Sequence, residues 1–188
     1  PLVAAVSNAG GLGVIGGAGF GAERLRQEIN DVRARTNRPF GVDLLLPSNY
    51  MGGAAGGEIP PDPRTLVPAE TRAGLRKIAE DLGIAWEEAP MDPRIGQAAR
   101  RSGGMSDEQM EVVIEEKVPV FASGLGSPGP WMDRLKANGT KVLCLVGNVK
   151  NAKRVAASGA DIVVAQGTEA GGHTGRVATL ALVPQVVD

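Results

Sequence analysis

The sequence predicts a parallel α/β fold in which helices cover a central sheet. The first observation is a set of five short apolar runs that are typical of buried strands, at residues 12–15, 40–46, 118–122, 142–146 and 162–165. The second is that helical patterns separate these runs, at residues 22–35, 68–82, 106–116, 130–137 and 149–157. Strands that are apolar along their whole length and alternate with helices indicate a parallel sheet buried on both faces.

The third observation is the short distance between successive strands. The last three runs begin at residues 118, 142 and 162, so they lie 24 and 20 residues apart. Such compact βαβ units are typical of a (β/α) barrel or of a doubly wound sheet. Glycines stand where helices should end before the next strand, at positions 83, 139 and 159. Ser106 and Gln109 match a capping box that would begin the helix at 106–116.

Residues 47–105 interrupt this alternation. Two stretches rich in glycine and proline, PSNYMGGAAGGEIPPDP and EEAPMDPRIGQAARRSGG, enclose the helical pattern at 68–82. Such a region is either an irregular insert that forms a long loop or lid, or a disordered insertion, and the sequence favours neither. The chain also opens and closes within apolar helices, which leaves five strands without the partners that would close a barrel. We therefore expect residues 1–188 to be part of one barrel domain.

Composition excludes several classes of protein. The 188 residues carry a net charge of −1 and only 3% aromatic residues, which gives no basic surface and few stacking platforms for nucleic acid. Residues 2–22 are uncharged but contain seven glycines, too many for a membrane-spanning helix. The lone Cys144 excludes an intramolecular disulfide framework and a multi-cysteine zinc site. We expect a cytoplasmic protein without a metal site. The sequence leaves open whether the protein forms a homo-oligomer.

The stretch VVAQGTEAGGHTG, residues 163–175, contains the only histidine of the chain, His173. In parallel α/β folds, active sites form where strands end, and this stretch includes the end of the last apolar run. The two adjacent glycines before the imidazole would let backbone N–H groups approach an anion or a flat ring closely. Asp43 and Ser123 lie at the ends of two other predicted strands. From the residues alone, His173 is equally well a functional group or a solvent-exposed loop histidine.

Three segments carry a family pattern: AAVSNAGGLGVIGG, RPFGVDLLLP and GADIVVAQGTEAGGHTG. They resemble the nitronate monooxygenase family, formerly called 2-nitropropane dioxygenases, and the likeness extends over nearly the whole chain. The resemblance implies a TIM barrel that holds FMN at the carboxyl ends of its strands. It also implies oxidation of alkyl nitronates with O₂ to a carbonyl compound and nitrite. The family's first strand and last two strands would lie outside this chain, so the resemblance implies an incomplete barrel.

The resemblance implies roles for individual residues. Gln166 and Gly171 match positions that contact FMN, with Gly172 beside them in the same turn. Asp43 falls where many members have an asparagine that contacts FMN, although a carboxylate cannot donate the hydrogen bond that an amide donates. His173 matches the active-site histidine beside the flavin. An imidazole can take or hold a proton at neutral pH, as activation of a nitroalkane requires. The implied partners are a small nitronate or nitroalkane and O₂.

Two other interpretations of the function stay open. A related FMN barrel that reduces an enoyl thioester or a quinone with NAD(P)H would share the Gly-Gly-His turn. A non-catalytic binding protein or an inert truncated product would carry the turn without using it in a reaction. In the same loop, Glu169 either orients neighbouring groups or is a solvated carboxylate, which is the commoner case. We predict that the five strands are parallel neighbours in sequence order. We also predict that His173 projects from the loop after the fifth strand, on the same edge as Asp43 and Ser123.

Overall fold

A computed structural model describes residues 1–46, 67–86 and 106–188 of the chain. Its strands are β1 (Gly13–Gly16), β2 (Phe40–Leu46), β3 (Val120–Gly126), β4 (Lys141–Val146) and β5 (Ile162–Ala165). Its helices are α1 (Leu2–Asn8), α2 (Ala22–Arg33), α3 (Ala69–Asp81), α4 (106–115), α5 (Met132–Ala137), α6 (Val149–Ala157) and α7 (Thr179–Val187). A short 3-10 turn, Gly129–Trp131, precedes α5.

The five strands form one parallel sheet in the order β1-β2-β3-β4-β5. All four adjacent pairs are parallel, which confirms the prediction of parallel neighbours in sequence order. Parallel neighbours need a crossover connection, and each connection of this sheet includes a helix. Because the strands run in one direction, all of them end at the same edge of the sheet. The loops that follow the strands therefore lie along that edge.

The two faces of the sheet carry different residues. On one face, Val42 and Leu44 of β2 are fully buried and belong to the same apolar cluster as Leu25 and Ile29 of α2. Successive residues of a strand point to opposite faces of the sheet. Asp43 lies between these two residues of β2, so its side chain points away from the helix-covered face. The core therefore occupies one side of the sheet, and Asp43 is presented on the other.

The chain forms two compact units. The first comprises Pro1–Ser48 and Met105–Asp188 and contains the sheet, whereas the second comprises Asn49–Gly104. The described part of the second unit contains helix α3, whose bounds differ by one residue at each end from the helix predicted at 68–82. Most of the insert or lid predicted for residues 47–105 lies outside the described residues, at 47–66 and 87–105. The nature of that insert therefore stays a prediction.

The helices end at the glycines that were predicted to end them. Gly139 and Gly159 follow the last turns of α5 and α6 with φ angles of +75° and +93°. This left-handed region is nearly free of strain only for glycine, which is why the signal can be read from the sequence. Among the described helices, none combines the length with the apolar character that crossing a bilayer requires.

Strand β3 differs from its sequence prediction. The apolar run predicts a strand at 118–122, whereas the observed strand is Val120–Gly126. Its last residues pair with Leu45 and Leu46 of β2, across a shift in register that follows Leu44. The extension depends on the neighbouring strand, since the SGLG sequence at its end has no apolar pattern of its own. A tertiary contact therefore sets the length of β3.

Candidate active site

The loop at residues 166–178 connects β5 to α7 and is held at its base by backbone contacts. The N–H of Gln166 donates to the carbonyl of Val146 at 2.9 Å, which extends the β4–β5 pairing by one bond. Further along, the backbones of Gly147 and Gly175 touch: a Cβ atom on Gly147 would lie 2.7 Å from the Cα of Gly175. No larger residue fits at this crossing without movement of the backbone. The base of the loop is thus fixed against the end of β4.

Glu169 ties the same loop to the start of α7. Its carboxylate accepts the Thr179 N–H, at 3.1 Å and 3.0 Å to its two oxygens, and the Thr179 hydroxyl at 2.9 Å. A hydrogen bond from its own backbone N–H, followed by those from Thr179, lowers the pKa of Glu169. The side chain is exposed, which agrees with the expectation of a solvated carboxylate, and it contacts Thr179 in addition. The alternative, that Glu169 orients neighbouring groups of the loop, agrees with these contacts.

The turn formed by Gly171, Gly172 and His173 is the exposed tip of this loop. Apart from the residues next to each glycine in the chain, no described residue has an atom within 4 Å of a Cβ built on either glycine. Gly172 has a φ angle of +73°, which favours glycine at that position. The backbone in front of the imidazole is therefore open on the outer side. As far as residues 1–46, 67–86 and 106–188 are concerned, a ligand can approach the two glycines without displacing protein atoms.

Asp43 is the second polar group near the carboxyl ends of the strands. Its Oδ1 atom is buried and finds no hydrogen-bond partner among the described residues. The carboxylate faces β3 where Gly124 lies, since a Cβ on Gly124 would be 3.0 Å from Oδ1 and 3.1 Å from Oδ2. Burial raises the pKa of Asp43, and a backbone hydrogen bond from Gly124 lowers it in part. An unpartnered buried acceptor is costly, which makes it a candidate ligand contact.

The predicted site residues do not all converge. Gln166, Gly171, Gly172 and His173 share one loop, whereas Asp43 lies three strands away on β2. Ser123 pairs with Leu44 and is buried on the helix-covered side of the sheet, opposite to Asp43. Its hydroxyl lies within 3.4 Å of the carbonyl of Leu125 in its own strand. Ser123 thus lies near the same edge of the sheet as Asp43 but on the opposite face. There it is part of the buried core and not of the candidate site.

Sequence reasoning missed the part that Gln109 plays at this edge. Its side chain is 2% exposed, and its amide donates to the carbonyls of Gly17, at 2.8 Å, and Phe20, at 2.6 Å. The N–H of Gly17 in turn donates to the carbonyl of Asp43 at 2.9 Å. Gln109 therefore fixes the loop after β1 next to Asp43. The side chain of Gln109 is therefore not used in the capping box that was predicted for Ser106 and Gln109. The hydroxyl of Ser106 donates to the carbonyl of Leu45.

Replacing Asp43 by asparagine is expected to remove a pH dependence of stability. Burial raises the carboxyl pKa above its ordinary value of 3.8. The folded state therefore holds the proton more tightly than the unfolded chain. This contribution to stability is complete below pH 3.8 and is lost as the pH rises through the raised pKa. At neutral pH and without bound flavin, Asp43→Asn should increase the free energy of unfolding of the complete protein by on the order of 1 kcal/mol, because a partly buried negative charge disappears.

The measurement is urea-induced unfolding of both proteins at acid and at neutral pH. The increase in the free energy of unfolding that Asp43→Asn gives should be smaller at acid pH. The residues level with Asp43 on β1 and β3 are Gly16 and Ala122, and neither has a titratable side chain. The exposed Asp107 on α4 gives a matched control, since Asp107→Asn should change little at either pH. A gain of the same size at both pH values would contradict the role of burial at Asp43.

The fold and the candidate site together define a class of enzyme. A parallel sheet of β/α units, with a glycine-rich loop and polar groups towards its carboxyl edge, is the arrangement of α/β enzymes that bind cofactors and substrates there. The family model for nitronate monooxygenase matches residues 1–188, which is the whole chain. The chain belongs to the nitronate monooxygenase family, whose members are flavin-dependent oxidoreductases. The resemblance seen in the sequence is thereby confirmed.

Curated relatives carry names of the same kind. A protein of Mycobacterium tuberculosis named as a monooxygenase is 38% identical over 195 residues, which cover 100% of this chain and 50% of the relative. A protein of Staphylococcus saprophyticus named "Probable nitronate monooxygenase" is 32% identical over 202 residues, with the same coverage. The chain spans about half the length of the curated relatives it matches.

Solved structures show the same architecture. The nitroalkane oxidase of Streptomyces ansochromogenes matches with a TM-score of 0.68 and 31% identity, over 99% of this chain and 50% of that one. FabK of Thermotoga maritima matches with a TM-score of 0.66 and 33% identity, over 98% of this chain and 42% of that one. Both are TIM barrels, so the five-stranded sheet is of the TIM-barrel type and corresponds to about half of such a barrel. The predicted fold class is confirmed.

Proposed function

We propose that the protein containing this chain oxidises alkyl nitronates with O₂ in an FMN-dependent reaction that gives a carbonyl compound and nitrite. The observation that supports this proposal is the open turn of Gly171, Gly172 and His173 at the carboxyl end of β5, in a chain of the nitronate monooxygenase family. The only imidazole of the chain follows these two glycines directly and is exposed.

The described residues fit a bound flavin in two respects. The buried Oδ1 of Asp43 lacks a partner that a polar ligand atom would supply, and Gly171 and Gly172 leave space for a flat ring. Three strand spacings, about 14 Å along the sheet, separate β2 from β5, so only an elongated ligand reaches both places. FMN has that shape. In this proposal Asp43, Gln166, Gly171 and Gly172 hold it.

When bound, the flavin supplies the redox chemistry by accepting the electrons that the substrate loses. The chain contributes proton handling and position. His173 would take the proton from the carbon atom that bears the nitro group of a neutral nitroalkane, which leaves the anionic nitronate. The same imidazole would hold a nitronate that arrives already deprotonated. Gly171 and Gly172 keep the approach to the imidazole open because they have no side chains.

A second candidate function is the reduction of an enoyl thioester or a quinone by NAD(P)H. The similarity to FabK of Thermotoga maritima supports it, because that solved chain matches this one about as well as the nitroalkane oxidase does. The fold and the loop are thus compatible with either reaction. What separates the two is the source of the electrons: the nitronate in the first case and the nicotinamide in the second.

The experiment that tests the proposal uses the complete protein. Its flavin absorbance and the identity of the released flavin establish the cofactor. Nitrite release is then followed with a pre-formed alkyl nitronate and O₂, in parallel with NAD(P)H consumption in the presence of an enoyl thioester or a quinone. Nitrite release without NAD(P)H is the expected result. NAD(P)H consumption without nitrite release would replace the first function by the second, and a protein without flavin would exclude both.

The variant Gly171→Val tests the flavin contact of the loop. A valine side chain would fill the space that is open beside Gly171. We expect flavin affinity to fall by at least about tenfold, or about 1.4 kcal/mol of binding free energy, in a fluorescence titration of the complete protein. The fold should be unaffected, because the side chain meets no protein atom among the described residues. The exposed neighbour Thr174 provides the control in Thr174→Val, and unchanged flavin affinity in Gly171→Val would remove Gly171 from the site.

A further inference from the structure

We propose that Glu169 is a positioning residue, which holds the turn of His173 in place through its contact with Thr179. The inference rests on the proposed function, because it assigns Glu169 a role in the reaction that His173 performs. It starts from a contrast within one loop. The tip, Gly171 to His173, is exposed, and its two glycines meet no side chain or backbone from elsewhere in the described residues. The base of the loop, in contrast, is held by hydrogen bonds, and Glu169 makes three of them.

The base is closed by contacts on both sides of the tip. The N–H of Thr168 donates to the carbonyl of Val177 at 3.1 Å, which brings the two arms of the loop together. One residue further on, Glu169 spans the gap to Thr179 with both of its oxygens. The eleven-residue segment from Glu169 to Thr179 is therefore closed by a carboxylate at one end and by two donors of one residue at the other. His173 lies between these ends.

The chemistry of this contact favours an ionised carboxylate. Thr179 is the first residue of α7, where backbone N–H groups lack partners within the helix and the helix dipole is positive. A negative charge is stabilised there, and the pKa of Glu169 is lowered by its own backbone N–H, by Thr179 and by Thr168. The glycine at 167 is required by the same arrangement. A side chain on Gly167 would run into the Glu169 carboxylate and the Thr179 hydroxyl.

The first test measures the loop itself by amide hydrogen exchange of the complete protein without added flavin. Glu169→Gln removes the charge and one acceptor oxygen, and Thr179→Val removes the hydroxyl while keeping the size. Both variants should speed exchange of residues 167–178 by about tenfold or more, with β4 unchanged. Thr179→Ser keeps both donors and should restore slow exchange. Glu23→Gln, the same charge change in the first turn of α2, should have no effect on the loop.

The second test asks whether Glu169 acts through His173. In the presence of His173, Glu169→Gln should lower kcat for a neutral nitroalkane by about tenfold to 10²-fold, as misplacement of a reacting group does. In a His173→Ala background the same change should cost little more, because there is no imidazole left to position. A full additional loss in that background would overturn the proposal, and so would unchanged exchange of the loop. A complete protein that releases no nitrite would instead refute the proposed function, while the exchange measurement would still decide on the contact.

Discussion

The variant His173→Ala is expected to lose turnover of neutral nitroalkanes by roughly 10²–10⁴-fold in the complete protein, the range of a positioned acid or base. The imidazole stands at the exposed tip of the loop after β5, and in the proposed function it takes the proton from the substrate carbon. Activity on pre-formed nitronates should fall less, because their carbon proton is already gone. Flavin should stay bound, since Asp43 and the loop backbone are proposed to hold it.

Steady-state nitrite release with the two substrate forms measures the difference, and flavin content is measured on the same samples. Thr174→Ala gives the matched control, because Thr174 is the exposed neighbour of His173 and has no proposed role. Equal losses on both substrate forms, with flavin retained, would contradict the role as a base and leave positioning of the anion. Full activity on both forms would show that His173 is only part of the loop structure.

The variant Gln109→Leu is expected to destabilise the protein by about 1–3 kcal/mol. Leucine has a similar size and fills the same buried space, but it cannot donate to the carbonyls of Gly17 and Phe20, which Gln109 satisfies now. The carbonyl of Gly17 would then keep only the N–H of Phe20, at 2.9 Å, and the carbonyl of Phe20 would lose the amide of Gln109. The loop after β1 would also lose its tie to α4 next to Asp43, so flavin affinity should fall together with stability.

Urea-induced unfolding of the complete protein measures the loss for Gln109→Leu. The neighbouring Glu108 is exposed on the same helix, and Glu108→Ala should change the free energy of unfolding by no more than about 0.5 kcal/mol. A Gln109→Leu variant as stable as the unmodified protein would mean that the two carbonyls find other partners. In that event Gln109 would not be what holds the loop after β1.

The sequence alone predicts which segments are strands and helices, since these properties depend on short-range patterns. Continuous apolar runs identify the strands, as β2 and β5 show by beginning and ending where they were predicted. Glycines at helix ends are visible for the same reason, because the left-handed backbone at Gly139 and Gly159 is a property of the single residue. The parallel order of the strands follows from their alternation with helices. The edge that carries Gln166 and His173 could therefore be found without coordinates.

Only the tertiary structure decided what the polar side chains do, because their partners lie far away in the chain. Gln109 meets carbonyls 92 and 89 residues away, and no local pattern distinguishes it from a capping residue. The sequence shows an aspartate at Asp43, but its unpartnered oxygen depends on burial against β3. Glu169 is indistinguishable from a solvated carboxylate until α7 brings Thr179 to it. Burial and hydrogen bonding are properties of the assembled fold, since both depend on which distant groups exclude water from one another.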